Sequence, residues 1–250
     1  NMHISNGVEM LELSASVLGG IQTIYPTLLS DQDMTVLVDT GFPGLTSQFI
    51  AVMMEANIPF EHLNKIIITH HDIDHIGSLP AILDTATQEI EVMASNLEKP
   101  FIQGEKRILK LTPEAIEQVK TLIPVEVPEE RRRAIISVFE NPPKANVDRI
   151  VMDGEEIPYC GGIVVIETPG HTPGHISLYH KPSKTLIAGD ALQVIDGKLT
   201  GPKHNHDDSK AFESLKKFAE YDIDAVICYH GGLYNQNDIN QTILMLANEE

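Results

Sequence analysis

A short segment, residues 66–77, concentrates side chains that can bind metal ions or transfer protons. It opens with three isoleucines at residues 66–68, a β-branched apolar run typical of a buried strand. Five of the six residues from His70 to His75 are titratable histidines or aspartates. Imidazole and carboxylate groups are the ligands that borderline to hard divalent metals prefer. The position of these groups directly after a buried strand therefore indicates a metal site.

The spacing within this segment predicts which side chains share a side. In extended backbone, residues i, i+2 and i+4 face the same way. His70, Asp72 and Asp74 can therefore converge on one point, and a turn after Asp74 would bring His75 beside them. His71 would face the opposite side, and we predict that it is not a ligand.

The same arrangement recurs later in the chain, where apolar strand-like runs end just before a His or an Asp. The runs that end near residues 168, 189 and 229 precede His171, Asp190 and His230, and a run ending at residue 38 precedes Asp39. Loops that meet at strand ends on a rigid sheet are common places for functional sites. We therefore predict that these residues meet in one site, where Asp39 either supports the ligands by a hydrogen bond or only caps a turn.

The remaining pattern predicts strands alternating with helices around the site. We expect strands at residues 10–13, 22–29, 35–38, 66–68, 90–94, 162–168, 184–189 and 224–229. We expect helices at residues 45–57, from residue 79, at 113–122, at 129–138, after an N-cap at 207–209, and at 236–248. Between residues 96 and 147 the strand–ligand pattern stops, and we predict an inserted helical cap or lid within a single domain spanning residues 1–250.

The amino-acid composition argues against some classes of binding partner. A formal net charge of −18 argues against nucleic acid and anionic membranes, because phosphate groups attract lysine and arginine. No apolar run approaches the roughly 20 residues needed to cross a membrane. Cys160 and Cys228 lack a C-x-x-C partner, and no secretion signal is visible, so we expect a cytoplasmic protein. A small-molecule substrate is the expected partner, and the sequence is compatible with a homo-oligomer.

The insert has a distinct charge pattern, because all five arginines of the chain lie between residues 107 and 149. One interpretation is a set of solvated helix faces balanced by neighbouring glutamates. The other is that an arginine in a closing lid binds an anionic group of the substrate. The sequence leaves both interpretations open.

The motifs together resemble those of the metallo-β-lactamase superfamily. Its first motif is Thr-His-x-His-x-Asp-His, followed by a His, an Asp and a last His on later strand ends, and the resemblance covers nearly the whole chain. It implies an α/β (α+β) fold of the four-layer αββα type, with metals between the two sheets and residues 96–147 as a helical insert. The Asp at position 190 is similar to that of the glyoxalase II-like and lactonase-like members.

The resemblance also implies two divalent metal ions. The first site would be formed by His70, Asp72 and His171, and the second by Asp74, His75 and His230, with Asp190 shared between them. Asp72 stands where the family has a second His. A hard oxygen ligand there moves the preference from zinc towards iron or manganese, and the alternative is that Asp72 lies outside the ligand set of a one-metal site.

The function implied by the resemblance is a binuclear metal-dependent hydrolase, in which a metal-bridging hydroxide cleaves a carboxylic ester, thioester or lactone. Asp190 would bridge the ions, and Asp74 would both bind metal and steer the hydroxide proton. Two alternatives stay open. The carboxylate at position 72 is similar to that of the flavodiiron branch. Members of that branch are di-iron redox proteins that depend on a flavin domain, which we do not expect in this chain. The other is a non-catalytic metal-binding member, although such proteins usually lack several ligands.

Overall fold

The computed structural model describes residues 1–249 and places two large β-sheets between layers of helices, with two further two-stranded sheets. The strands are β1 (Met2–Ser5), β2 (Val8–Met10), β3 (Leu13–Val17), β4 (Gly20–Ile24), β5 (Thr27–Ser30), β6 (Thr35–Val38), β7 (Lys65–Ile67), β8 (Glu91–Ser95), β9 (Arg149–Val151), β10 (Glu156–Ile157), β11 (Ile163–Glu167), β12 (Ile176–His180), β13 (Thr185–Gly189), β14 (Gln193–Ile195), β15 (Lys198–Thr200), β16 (Ala225–Cys228) and β17 (Gly232–Tyr234). The α-helices are α1 (Thr46–Glu55), α2 (Ile73–Ile76), α3 (Leu79–Thr85), α4 (Lys99–Ile102), α5 (Pro113–Leu122), α6 (Glu129–Glu140), α7 (Asp208–Ser214) and α8 (Ile239–Ala247), with 3-10 turns at Phe60–His62 and Leu215–Glu220.

The two-stranded sheets are β3-β4 and β14-β15, and the two large sheets contain both parallel and antiparallel pairs. The first has the order β1-β2-β5-β6-β7-β8-β9, and its strands from β6 to β9 run parallel. The second has the order β10-β11-β12-β13-β16-β17, with β13 and β16 parallel. Since parallel strands end at the same edge of a sheet, the loops after β6 and β7 are neighbours, as are those after β13 and β16.

Alternation of side chains along the central strands creates the layers. Leu29, Val36 and Ile67 of the first sheet pack against residues such as Ile163 and Leu178 of the second, in a core between the sheets. The strand neighbours of these residues in the first sheet, such as Leu28, Leu37 and Ile66, face away from the second sheet, because successive side chains in a strand point to opposite faces.

The outer faces of both sheets are covered by helices. Phe49 of α1 and Leu79 of α3 pack on the outer face of the first sheet. Phe218 of the second 3-10 turn and Ile243 of α8 pack on the outer face of the second sheet. The four-layer αββα arrangement predicted from the sequence is confirmed, and no helix among residues 1–249 is both long enough and apolar enough to cross a membrane.

The segment predicted as an insert connects β8 to β9 and contains α4, α5 and α6. Helix α5 begins where the sequence indicates, because Pro113 occupies the first turn and the Thr112 hydroxyl accepts a hydrogen bond from the Ala115 N–H. The position of this segment shows which strands it joins, but its closing motion as a lid stays a prediction.

The strand predictions differ from the structure in several places. The run predicted at 10–13 spans the end of β2 and the start of β3, and the short strands β1, β9, β10, β14, β15 and β17 were not predicted. The run predicted at 22–29 is split into β4 and β5 around Pro26, which has no N–H to donate to a sheet ladder. Strand β12 was not predicted, although all five of its residues are buried. Its sequence, ISLYH, includes a serine and a histidine on a strand buried on both faces, and this polarity weakens the apolar signal.

Candidate metal centre

Strand ends from both sheets deliver the candidate ligands to one place. His70 follows β7, Asp190 directly follows β13, and His230 lies two residues after β16. His171 lies in the loop between β11 and β12, and a backbone hydrogen bond from the Ile176 N–H to the Thr69 carbonyl joins that loop to the segment after β7. The predicted convergence of strand-end residues is therefore present in the structure.

Four side chains form what we call the first ligand group: His70, Asp72, His171 and Asp190. Asp72 Oδ2 lies 3.3 Å from His70 Nε2 and 3.0 Å from His171 Nε2, and Asp190 Oδ2 lies 3.2 Å from His171 Nε2. All four are buried. The structure thus places Asp72 with the other candidate ligands rather than on the solvent side of the loop.

Three side chains form the second ligand group: Asp74, His75 and His230. Asp74 Oδ2 lies 3.6 Å from His75 Nε2 and 3.2 Å from His230 Nε2. Asp190 also contacts this group, since its Oδ1 lies 3.2 Å from His75 Nε2 and its Oδ2 lies 3.3 Å from His230 Nε2. Asp190 therefore lies between the two groups, where a shared ligand would be.

The donor set fits a bound cation. Of the eight buried side-chain atoms without a hydrogen-bond partner among residues 1–249, four belong to the ligand groups: His70 Nε2, His75 Nε2, Asp72 Oδ1 and Asp190 Oδ1. Buried polar atoms are almost always paired, so such a cluster needs a cause. Neutral imidazole nitrogens and carboxylate oxygens that face one another are suited to divalent metal ions. These residues could hold a metal ion, whereas its identity and the number of ions stay predictions.

The carboxylates also change the acidity of the histidines. Burial lowers the pKa of His171, but hydrogen bonds to Asp190 and Asp72 outweigh it and raise the pKa to about 9. Burial likewise opposes protonation of His230, but Asp190 and Asp74 raise its pKa to about 10. Without metal both imidazoles hold a proton near neutral pH, which a binding metal ion would displace.

A hydrogen-bonded layer behind the ligands orients them. Asp39 accepts hydrogen bonds from the Thr69 N–H (2.8 Å) and hydroxyl (2.7 Å), and its Oδ2 lies 2.9 Å from His75 Nδ1. Thr69 Oγ1 in turn lies 3.0 Å from Nδ1 of His70. These contacts at Nδ1 leave the Nε2 atoms facing the site, as is usual for histidines that bind metal. Asp39 is therefore a supporting residue, one of the two roles considered from the sequence.

The motif histidine predicted not to be a ligand has another partner. His71 is completely buried, and its Nδ1 donates to Glu98 Oε1 at 2.9 Å. Glu98 also accepts hydrogen bonds from the His71 N–H, the Thr172 hydroxyl and the Gly174 N–H, at 2.9, 2.8 and 3.2 Å. This one buried carboxylate ties the loop after β7 to the loop that carries His171.

A second buried histidine lies behind the ligands. His175 Nε2 accepts a hydrogen bond of 3.0 Å from the Asp190 N–H, and its Nδ1 lies 2.8 Å from the Thr168 hydroxyl. Burial, with a smaller contribution from His171, lowers the pKa of His175 to about 3, so it accepts that bond as a neutral ring. His175 therefore holds the backbone at Asp190, and its Nε2 is occupied by that hydrogen bond.

Close backbone packing holds the helix that carries Asp74 and His75. A Cβ at Gly77 would lie 2.3 Å from backbone atoms of Phe42 and Pro43, so only glycine fits at this position. The Thr40 N–H and hydroxyl both donate to the His75 carbonyl, at 2.7 Å each. Helix α2 is thereby fixed against the loop that follows β6.

Sequence reasoning missed some contacts of the site. Lys110 and Glu98 come from the insert and reach the ligand loops, and Asn205 Oδ1 lies 3.2 Å from His171 Nδ1. His204 and His206 lie on either side of Asn205 and are exposed. None of these contacts had a sequence signal, because no period or motif links residues so far apart.

The fold agrees with a comparison against family models. Residues 22–230 match the model of the metallo-beta-lactamase superfamily. The chain belongs to this superfamily, and the resemblance drawn from the motifs is confirmed.

Related proteins agree with that assignment. The chain is 28% identical to the probable metallo-hydrolase YflN of Bacillus subtilis (strain 168) over 241 residues, which cover 88% of this chain and 84% of the relative. It matches the crystal structure of the metallo-beta-lactamase family protein TTHA1429 from Thermus thermophilus with a TM-score of 0.68 and 22% identity, over 98% of this chain and 79% of that one. A metallo-beta-lactamase from Pontibacter korlensis matches with a TM-score of 0.68 and 18% identity, over 100% and 98% of the two chains. The two structural matches support the fold alone, and the prediction of a metal-dependent hydrolase is confirmed at the level of the class.

Proposed function

We propose that this chain is a binuclear metal-dependent hydrolase that cleaves a carboxylic ester, thioester or lactone in a small molecule. The observation that carries the proposal is the position of Asp190, whose oxygens lie 3.2 Å from His171 and His75 and 3.3 Å from His230. A carboxylate that contacts histidines of two adjacent ligand groups can bind two ions and hold them at a fixed separation. Bound ions would supply an ionised water near neutral pH and a Lewis acid for the scissile carbonyl.

The exposure of the ligands indicates the side from which a substrate approaches. The side chains of His70 and His75 are completely buried, whereas those of His230 and Asp74 are 29% and 17% exposed. We place the substrate against the second ligand group, on the side of His230. Asp74 is then the carboxylate nearest to the reacting atoms and can accept a proton from the attacking water.

The supporting residues contribute by orientation. Asp39 and Thr69 fix the imidazoles of His75 and His70, and Glu98 joins the two loops that carry His70 and His171. Preorganised groups of this kind do not have to reorganise during the reaction, which lowers its barrier. The chain therefore supplies two rigid ligand groups and an open side for the substrate.

The first experiment measures metal content and hydrolysis in the same preparations. Protein purified without added metal is analysed for bound ions, then loaded with Zn²⁺ or Mn²⁺ and tested on a panel of esters, thioesters and lactones. We expect about two ions per chain. Asp190→Ala should lose one ion and most of the activity, whereas the matched control Asp84→Ala, at an exposed site on α3, should keep both.

The result also separates the alternatives. A single ion per chain in excess metal would contradict the binuclear proposal. Bound iron with O₂ consumption in the presence of a reductant, and no hydrolysis of any panel member, would favour the di-iron redox alternative that the carboxylate of Asp72 left open. Two bound ions with neither activity would favour a non-catalytic metal-binding protein.

A further inference from the structure

The insert places the ammonium group of Lys110 beside the first ligand group. Lys110 lies in the link between α4 and α5, and its ammonium nitrogen contacts Asp72 Oδ2 and lies 3.0 Å from His171 Nε2. These are the same two atoms that lie 3.0 Å apart within the first ligand group. Among residues 1–249, the ion pairs of the second ligand group involve histidines and aspartates and no lysine.

The backbone at Lys110 is anchored, while its side chain can move. The Leu109 N–H donates to His71 Nε2 at 3.3 Å, and Ile108 and Leu111 are buried in the core under the first sheet. The Lys110 side chain itself is 37% exposed. The link can therefore hold its position while the ammonium group leaves Asp72 for the solvent side of the site.

The buried pair of His71 and Glu98 supports this anchor. His71 donates from Nδ1 to Glu98, so its Nε2 is free to accept from Leu109. The His71 ring also stacks on Phe101 with centroids 4.2 Å apart. The segment that carries Lys110 is thus fixed to the motif that carries Asp72.

Three other basic side chains of this region have partners elsewhere. Arg132 donates to the carbonyls of Lys120 and Pro124, and Arg107 donates to those of Ile108 and Leu109. Lys106 lies over the Phe101 ring, 5.6 Å from its centroid. Among the described contacts of the insert, the cation at the ligand groups is therefore a lysine, a residue that the sequence analysis did not consider.

We propose that the Lys110 ammonium group occupies the first ligand group in metal-free protein and competes there with a metal ion. The second ligand group would then bind metal before the first. The ammonium group lies against Asp72 Oδ2 and His171 Nε2, the atoms that a metal ion in the first ligand group would contact, and the like charges of ammonium and metal repel. The first ligand group must therefore release Lys110 before it binds metal. The second ligand group has no such competitor among the described residues and loads first.

The test is a metal titration that needs no substrate, so its outcome is independent of the proposed hydrolase activity. Metal-free protein is titrated with Mn²⁺, and binding is followed by calorimetry and by the electron paramagnetic resonance of free Mn²⁺. We expect a tight and a weak step in the wild type. His230→Ala should remove the tight step, and His171→Ala should remove the weak one.

The decisive variant is Lys110→Met, which keeps the length of the side chain without its charge. We expect it to tighten the weak step about tenfold or more, equivalent to about 1.4 kcal/mol, and to leave the tight step unchanged. Lys110→Arg, which retains the charge, should keep two separate steps. Lys106→Met is the matched control at an exposed position of the same segment and should behave as the wild type.

A second measurement uses stability. In metal-free protein Lys110 balances the buried charge of Asp72, so Lys110→Met should lower the melting temperature of the metal-free form and enlarge the rise on adding Mn²⁺. Equal affinities in wild type and Lys110→Met, or a weaker step in the variant, would overturn the proposal. Such a result would mean that Lys110 assists metal binding or plays no part in it.

Discussion

Asp39 Oδ2 lies 2.9 Å from Nδ1 of His75, and both side chains are completely or almost completely buried. The contact joins the end of β6 to the helix that carries two candidate ligands. Because the carboxylate accepts the Nδ1 proton, His75 presents the lone pair of Nε2 to the site. The orientation of a ligand is therefore set by a residue that does not itself face the ligand groups.

The first prediction concerns this pair. Asp39→Asn should weaken metal binding at the second ligand group about 10- to 100-fold, because an amide can present its N–H to Nδ1 and favour the wrong tautomer. Asparagine tolerates the left-handed backbone found at residue 39, which has a φ of 68°, so the fold should persist. Competition with a chelating dye measures the affinity, and Asp33→Asn at an exposed position is the control. Unchanged affinity in Asp39→Asn would mean that the hydrogen bond does not orient His75.

The second prediction concerns the choice of metal. Asp72 supplies a hard oxygen to the first ligand group, and Asp72→His would replace it with a softer nitrogen. We expect the ratio of Zn²⁺ to Mn²⁺ affinity at that group to rise by about tenfold, equivalent to about 1.4 kcal/mol. Competitive loading with both metals, followed by elemental analysis, measures the ratio. Unchanged selectivity and metal content would place Asp72 outside the ligand set.

The third prediction concerns the buried carboxylate that joins the insert to the ligand loops. Glu98→Ala leaves the His71 N–H, the Thr172 hydroxyl and the Gly174 N–H without their acceptor. Unpaired buried donors are costly, so the free energy of unfolding of metal-free protein should fall by about 3 kcal/mol. Urea denaturation measures the loss. Glu98→Gln should lose less because it keeps an acceptor oxygen, and Glu105→Ala at an exposed position should lose little.

The fourth prediction concerns pH and a histidine remote from the ligand groups. His180 on β12 is buried and donates from Nε2 to the Cys160 carbonyl at 2.9 Å, and burial lowers its pKa below the ordinary value of 6.5. Below pH 6.5 the unfolded chain takes up a proton that the folded chain resists. The free energy of unfolding should therefore fall as the pH decreases from 6.5 towards the folded pKa, by up to about 1.4 kcal/mol per pH unit.

Denaturation of metal-free protein at a series of pH values measures this effect. The comparison with His180→Gln isolates the contribution of one residue from those of the acidic groups. We expect the difference in unfolding free energy between wild type and variant to be constant above pH 7 and to shrink below pH 6.5. A difference that stays constant down to pH 5 would show that His180 does not resist protonation in the folded state.

Local patterns in the sequence were sufficient to predict most central strands and the candidate ligands, whereas the four layers were implied by the family resemblance. An apolar run predicts a buried strand from its own residues, and the His or Asp that follows must lie at the end of that strand. Asp190 and His230 follow neighbouring parallel strands of the second sheet and so share one edge, whereas His70 follows a strand of the first sheet. Their meeting was predicted because each follows a strand end, without knowledge of any long-range contact. Alternation within residues 70–75 then separated His71 from its neighbours, and the structure shows it bound to Glu98 instead.

Only the tertiary structure decided which remote side chains complete the site. Lys110 and Asp72 are 38 residues apart, and Glu98 and Thr172 are 74 apart, with no shared period or motif between them. A contact of this kind depends on how the insert packs across the loops, and its composition predicts helices but not their placement. For this reason the sequence directed attention to the arginines of the insert, although a lysine between two of its helices reaches the ligands. Local backbone preference is encoded within a few residues, whereas the pairing of buried charges depends on the whole fold.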